Sequence, residues 1–226
     1  MNRIDVAWAI GRPAMGGPTA LATRLRSYGR DRVPRSGGVV IAFNHFHWLD
    51  IPAFGWSSPR TLYFLAKAEA HAVPLAGAYI RLFGSFSVRR GESDREAVRR
   101  MREVVAGGEA LGIFAEGTRQ RSGVPGHVQP GAAMVALQED VPVVCAAIHG
   151  SQHWRPGNFA PVSIAWGEPF RFEGLPRGAK GYREASAEIE RELHRLWGWL
   201  RDLHEAGRPR NAVPPGRPDA APVTLP

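Results

Sequence analysis

Val39-Val40-Ile41-Ala42-Phe43 is an unbroken apolar run that delivers the chain straight into Asn44-His45-Phe46-His47-Trp48-Leu49-Asp50. The run is short, β-branched and preceded by Ser36-Gly37-Gly38, so it reads as a strand buried on both faces. His45 then sits just past the carboxyl end of a strand, where α/β sheets place their ligand sites. An imidazole titrating near pH ~6.5 suits a base working at neutral pH. Asp50 is far enough along to curl back through one turn and accept a hydrogen bond from the other ring nitrogen. That bond would fix the tautomer and favour the imidazolium formed when a hydroxyl is deprotonated. Two plainer readings stand beside it. His45, His47 and Asp50 are also metal-ligand types, although no further His/Cys cluster completes such a site. Asn44, Phe46, Trp48 and Leu49 can simply cap and pack a following helix.

A second segment follows the same plan. Ala110-Leu111-Gly112-Ile113-Phe114-Ala115 reads as another buried strand, and Glu116-Gly117-Thr118-Arg119 leaves its carboxyl end. Gly117 allows a positive φ or close approach of backbone to ligand. The amides, the Thr118 hydroxyl and the Arg119 fork suit a phosphate, which arginine holds in bidentate fashion; the alternative is a surface turn with a solvated Glu–Arg pair. Gly84-Ser85-Phe86-Ser87-Val88 alternates like a strand and ends in Arg89-Arg90. Two arginines there suit an anionic ligand, or else form a solvated face. Val141-Pro142-Val143-Val144-Cys145-Ala146-Ala147-Ile148 is a fourth buried strand, with its proline near the start where no ladder donor is needed.

The order and spacing of these four segments resemble the lysophospholipid acyltransferase family, whose best-known members are 1-acylglycerol-3-phosphate acyltransferases. The family's Asn-His-x4-Asp block matches Asn44, His45 and Asp50. Its glycine-aromatic strand ending in arginine matches Gly84, Phe86 and Arg89, its Phe-Pro-Glu-Gly-Thr-Arg block matches Phe114, Glu116, Gly117, Thr118 and Arg119, and its Val-Pro strand matches Val141 and Pro142. Lys67 and Glu69 resemble the family's lysine–glutamate strand end. The similarity covers roughly residues 30–175. It implies direct attack by an acceptor hydroxyl on an acyl thioester, with His45 as general base, Asp50 as its orienting partner and no acyl-enzyme. It further implies that Arg89, Glu116, Gly117, Thr118 and Arg119 bind the acceptor. The donor would be acyl-CoA or an acyl carrier protein, with no cofactor and no metal, and the acceptor a lysophospholipid such as 1-acylglycerol-3-phosphate. Three positions depart from the pattern: Ala115 for proline, Cys145 for proline and Gln129 for lysine. They leave the catalytic pair intact and bear on acceptor binding. A different acceptor (another lysophospholipid, a glycolipid or an amino-lipid) therefore stays open, as does a non-catalytic anion- or nucleic-acid-binding protein on the same fold.

Composition narrows the class. At 226 residues with 44% hydrophobic content the chain suits one catalytic domain. The single cysteine excludes an internal disulfide, and Cys145 lies in an apolar run where an inert thiol is expected. The net charge of +8 predicts a positive surface, with an anionic membrane surface or nucleic acid as partner. Lys67 and Lys180 are the only lysines among 29 basic residues, which reflects GC-rich coding at least as much as function. Residues 1–35 hold seven arginines against Asp5 and Asp31. No nucleic-acid motif or aromatic–basic platform accompanies this charge, so membrane attachment is the better reading. No stretch approaches the ~20 apolar residues of a bilayer span, which predicts a peripheral protein on the cytoplasmic face of the membrane.

The remaining sequence reads as scaffold. Residues 1–35 form a basic segment that either lies flat at a membrane surface through Trp8 or packs on the domain. Residues 36–206 form the acyltransferase domain. Within it, residues 182–205 carry Ile189, Leu193, Leu196, Trp197, Leu200 and Leu203 on one helical side, expected to be core. Residues 207–226 are proline-rich and expected to be a disordered tail. Strands alternating with helices predict an α/β fold with a mostly parallel central sheet flanked by helices, like that of glycerolphosphate acyltransferases.

Overall fold

The computed structural model describes residues 3–67, 86–88 and 94–218. Gly84, Arg89 and Glu69 therefore lie outside the described residues. The expected central strand is β2 (Val39–Phe43), all five of whose residues are buried. Before it come α1 (Arg3–Gly11), a π-helical turn (Arg12–Gly16), α2 (Gly17–Ala22) and the short strand β1 (Arg26–Tyr28). After it follow α3 (Asp50–Ser57), β3 (Leu62–Lys67), β4 (Phe86–Val88), α4 (Asp94–Ala106) and β5 (Ala110–Phe114). The chain closes with α5 (Gly131–Glu139), β6 (Val143–His149), β7 (Ser163–Trp166) and the long α6 (Ala179–Glu205).

The seven strands form one sheet in the order β1-β7-β6-β2-β5-β3-β4. The run from β6 through β4 is parallel throughout. At the other edge β7 runs antiparallel to β6, with β1 parallel to β7. The sheet is thus mostly parallel, as the apolar runs predict, with a reversed two-strand edge. Such sheets are covered on both faces. One face of β2 presents Ile41 and Phe43 to Phe54 of α3 and to Phe64 and Trp166. The other presents Val40 and Ala42 to a cluster that includes Ala133 and Ala136 of α5 and Ile189, Leu193 and Leu196 of α6.

The helical stripe read from residues 182–205 is core: Ile189, Leu196 and Leu200 are fully buried. Burial of each such side chain stabilises the fold by roughly 1.5–3 kcal/mol. At the amino end, Trp8 of α1 is buried and its ring lies against the Gly55 backbone of α3, so α1 packs on the domain while Ile10 faces solvent.

One expectation is overturned. Residues 208–218, read from their prolines as the start of a disordered tail, are a strap fixed to the domain. Prolines lack an N–H but keep a carbonyl acceptor, and arginines supply the donors. Arg32 donates to the carbonyls of Pro214 at 2.7 Å and Pro215 at 3.2 Å, and Arg195 donates to Pro215 at 3.3 Å. Arg217 places its guanidinium 3.6 Å over the Phe170 ring. Arg208 is buried and donates to Ser163 Oγ, the Arg24 carbonyl and the Val162 carbonyl. Composition cannot see these partners because they lie up to 184 residues away in sequence.

Parallel registration places the loops that matter. Phe43 is paired with Phe114 of β5 on one side and with Ala146 of β6 on the other. β2 and β5 end level and β6 runs on three residues to His149, so the residues after β2 and β5 emerge at the same edge.

Candidate active site

The chain leaving β2 is held on both flanks by side-chain bonds that continue the ladder. Asn44 is fully buried; its amide nitrogen donates to the Ile148 carbonyl at 3.0 Å and its oxygen accepts from the Ile148 amide at 2.8 Å. On the other flank the His45 amide donates to Glu116 Oε2 at 2.9 Å, and the His45 carbonyl accepts from the Gln120 amide at 2.7 Å. The segment from Asn44 to His45 is therefore fixed between β6 and the loop that follows β5.

Asp50 opens α3 and is fully buried. A carboxylate in a first helical turn is stabilised by the helix dipole. Its Oδ2 accepts from His45 Nδ1 at 2.8 Å, from the Phe46 amide at 2.6 Å and from the His47 amide at 2.8 Å. One oxygen thus closes the turn and orients the ring. A carboxylate is an acceptor only, so Nδ1 carries the proton and Nε2 keeps its lone pair. The ring is also stacked on Phe114 with centroids 4.0 Å apart, and its side chain is 13% exposed.

Glu116 is turned inward. Both oxygens accept backbone amides, Oε2 from His45 and Oε1 from Gly126 at 2.7 Å. Burial pushes this carboxyl up to about 7, opposed by those two amide bonds and aided by the nearby Asp50 charge. In this geometry the carboxylate clasps three backbone segments rather than facing solvent. Gly117 has φ +69, which a Cβ makes costly, while the nearest atom to a built Cβ is Gln129 Cγ at 3.5 Å. The constraint there is conformational, not spatial. Thr118 and Arg119 are exposed beyond this turn.

Of the candidate residues, His45, Asp50, Glu116, Gly117, Thr118 and Arg119 are brought to one sheet edge, and Arg89 lies outside the described residues. Among the described residues no group of three or more His, Cys, Asp and Glu is placed to hold a metal ion. Cys145 is completely buried and its thiol is pushed well up by desolvation. Phe46 and Leu49 are core, which agrees with their packing alternative, whereas Asn44 bridges two strands instead of capping the helix. Sequence reasoning did not foresee the aromatic group beside His45. The His47 ring lies 5.4 Å from Trp48 and 5.7 Å from Trp154, which comes from the β6–β7 connection. Burial lowers the His47 pKa; Asp50 opposes this, and the charges of Arg155 and Arg119 add to it.

Comparison with known proteins fixes the class. Residues 24–149, over half of the chain, match the Acyltransferase family, and the chain belongs to it. It is 28% identical over 127 residues to the 1-acyl-sn-glycerol-3-phosphate acyltransferase of Bacillus subtilis, covering 56% of this chain and 63% of that protein. It is 43% identical over 86 residues to the lyso-ornithine lipid O-acyltransferase of Pseudomonas aeruginosa, covering 38% of this chain and 32% of that protein. The match thus spans less than two thirds of either relative. The crystal structure of the 1-acyl-sn-glycerophosphate (LPA) acyltransferase PlsC from Thermotoga maritima shares the fold, with a TM-score of 0.65 at 23% identity over 85% of this chain and 79% of that one.

Proposed function

We propose that this protein transfers a fatty acyl group from acyl-CoA or acyl carrier protein to the free hydroxyl of a lysophospholipid, 1-acylglycerol-3-phosphate foremost, to give phosphatidate. The observation that carries the reading is the His45 Nδ1–Asp50 Oδ2 bond of 2.8 Å on a carboxylate with no solvent exposure. His45 Nε2 takes the proton of the acceptor hydroxyl as its oxygen attacks the thioester carbonyl. The tetrahedral intermediate then collapses, the C–S bond breaks, and the departing thiolate takes the proton from the imidazolium. Asp50 holds the ring in the required tautomer and stabilises the imidazolium between those steps. A base so placed is worth roughly 10²–10⁴ in rate. Thr118 and Arg119, with Arg89, receive the acceptor phosphate; Gly117 shapes the turn that presents them, and Glu116 secures that turn to the base. Backbone amides at the strand ends supply the oxyanion donors. The protein works from the cytoplasmic face of a membrane, attached peripherally.

A second acceptor reading rests on the relative that acylates a lyso-ornithine lipid, because its identity over the matched stretch is the higher of the two. An amino-lipid would use the same base and a different headgroup contact. Release of free CoA thiol from long-chain acyl-CoA tests both, with 1-acylglycerol-3-phosphate and lyso-ornithine lipid as parallel acceptors and His45→Ala alongside. Acceptor-dependent thiol release that disappears in the variant is expected. Turnover that survives in His45→Ala would refute the assignment of the base.

A further inference from the structure

Residues 117–129, which carry Thr118 and Arg119, form a loop whose ends are tied together. The Gln129 amide donates to the Ala115 carbonyl at 2.8 Å, and the Gly126 amide donates to Glu116 Oε1 at 2.7 Å. A closed loop of this length packs on its own side chains and is frequently functional. Its near limb is fixed beside His45, whose carbonyl accepts from the Gln120 amide at 2.7 Å. The two limbs touch, since a Cβ built on Gly126 would lie 2.7 Å from Gln120 Cδ. The far limb is held from outside the loop, by α6. Glu190 Oε2 accepts from the Val128 amide at 2.8 Å and from His127 Nδ1 at 2.8 Å.

Glu190 differs from its neighbours on the helix. Glu184, Glu188 and Glu192 each face a lysine or arginine, namely Lys180, Arg217 and Arg195. Glu190 instead turns one oxygen to a backbone N–H of the loop. The Val128 side chain is buried in the same core cluster as Ile189 and Leu193 of α6. That apolar contact fixes where the segment sits, and the carboxylate bond fixes which way its amide faces. Without Glu190 a part-buried N–H loses its acceptor, which is costly. The His127 contact is the weaker half, because its side chain is 79% exposed and an exposed pair contributes little. A shift at Val128 reaches the site by a short route. Gly126, two positions earlier, holds Glu116 Oε1, and Glu116 immediately precedes the Gly117 turn that presents Thr118 and Arg119.

We propose that Glu190 is a positioning residue for acceptor binding: from α6 it latches the far limb of the 117–129 loop, through Val128 and secondarily His127, so that Thr118 and Arg119 are presented to the acceptor. This rests on the acyl-transfer reading above and adds a residue remote from the motif loops to it. The test compares Glu190→Ala, Glu190→Gln and His127→Ala with wild type, and uses Glu184→Gln as a surface control on the same helix. Amide hydrogen exchange, followed peptide by peptide, reads the loop. Thiol release from long-chain acyl-CoA at varied 1-acylglycerol-3-phosphate, and then at varied donor, reads the two KM values. In Glu190→Ala, exchange over residues 117–129 should quicken about tenfold, and acceptor KM should rise about tenfold while donor KM and kcat stay within about twofold. Glu190→Gln keeps an oxygen acceptor and should bring acceptor KM back to within about threefold of wild type, the range also expected of His127→Ala. Glu184→Gln should leave exchange and kinetics as they are. Unchanged loop exchange in Glu190→Ala, acceptor and donor KM rising together, or a Glu190→Gln as impaired as Glu190→Ala would each overturn the proposal. A wild type that turns over no acceptor would count against the acyl-transfer reading, and the loop exchange of Glu190→Ala would still uphold or overturn the latch.

Discussion

Acid should strain this protein at a buried histidine pair, and the size of the effect can be worked out. His149 ends β6 with its ring buried, stacked 4.6 Å from His204 and 5.7 Å from Trp197, and among the described residues neither ring nitrogen has a hydrogen-bond partner. Burial lowers its pKa to about 3, helped by His204, His153, Arg201 and Arg208, and His204 falls to about 4 chiefly for the same reason. A histidine kept neutral in the fold contributes stability that is present above its unfolded pKa of ~6.5 and is lost as pH falls toward the folded value. At pH 5 the loss for His149 is about 2 kcal/mol, from ~1.5 pH units at ~1.36 kcal/mol each. Glu116 works in the opposite direction: its folded pKa of about 7 means its contribution is full below the ordinary carboxyl pKa and is lost as pH rises through 7. Between pH 7 and 5 it returns about 2 kcal/mol, against the loss at His149 and a further loss at His204, so the wild-type curve alone cannot separate them. His149→Phe keeps a ring in the stack and removes the proton site. Urea unfolding of wild type and His149→Phe at pH 7 and pH 5 should show the variant gaining about 2 kcal/mol relative to wild type on acidification. A gain under about 0.5 kcal/mol would refute the assignment of acid sensitivity to this ring, given that extrapolation error alone is ~10–15%.

Three further outcomes follow from the site geometry. Asp50→Asn should lower kcat by roughly 10²–10⁴ with a smaller change in acceptor KM, because an amide nitrogen facing Nδ1 selects the wrong tautomer; thiol release at saturating acceptor reads it, and a change under threefold would sink the orienting role. Glu116→Gln leaves one of two buried amide donors, that of His45 or Gly126, without an acceptor. It should cost about 1–3 kcal/mol and lower Tm by several degrees, while removing the rise in stability that Glu116 gives on acidification; a pH-stability curve identical to wild type would contradict the clasp. Gly117→Ala places a Cβ on a backbone at φ +69 with room around it. It should destabilise by about 1 kcal/mol, and it should raise acceptor KM more than donor KM.

The central fold was legible because parallel strands are buried on both faces and so spell themselves as apolar runs. Val39–Phe43, Ala110–Phe114 and Val143–His149 lie side by side as β2, β5 and β6. The motif loops were legible for a related reason: strands that end level deliver the residues after them to one edge. β1 was not, because Arg26-Ser27-Tyr28 is too short and polar for any period to show, and its pairing with Ser163–Ala165 depends on residues far along the chain. The strap was misread for the same reason, since proline content reports what a backbone cannot donate and says nothing of the arginines that bind its carbonyls.

The hardest residues to read were those whose chemistry suggests one role and whose position gives another. Glu116 looks like a ligand-facing carboxylate in sequence, yet its two oxygens join the His45 and Gly126 amides at 3% exposure. Asn44 looks like a cap, yet its amide extends the sheet by one side-chain rung to Ile148. Both act on His45 through the backbone, and neither needs to touch a substrate. His45 therefore sits where the ends of β2 and β5 lie beside β6, held by the Asn44 amide of β2's own loop, the Glu116 carboxylate of β5's and Asp50 of α3. Any substitution that loosens one of these should move the ring of His45 before it unfolds the domain. Loss of turnover ahead of loss of stability is thus the signature expected of Asn44→Ala as well, because its two bonds to β6 fix the residue immediately before His45.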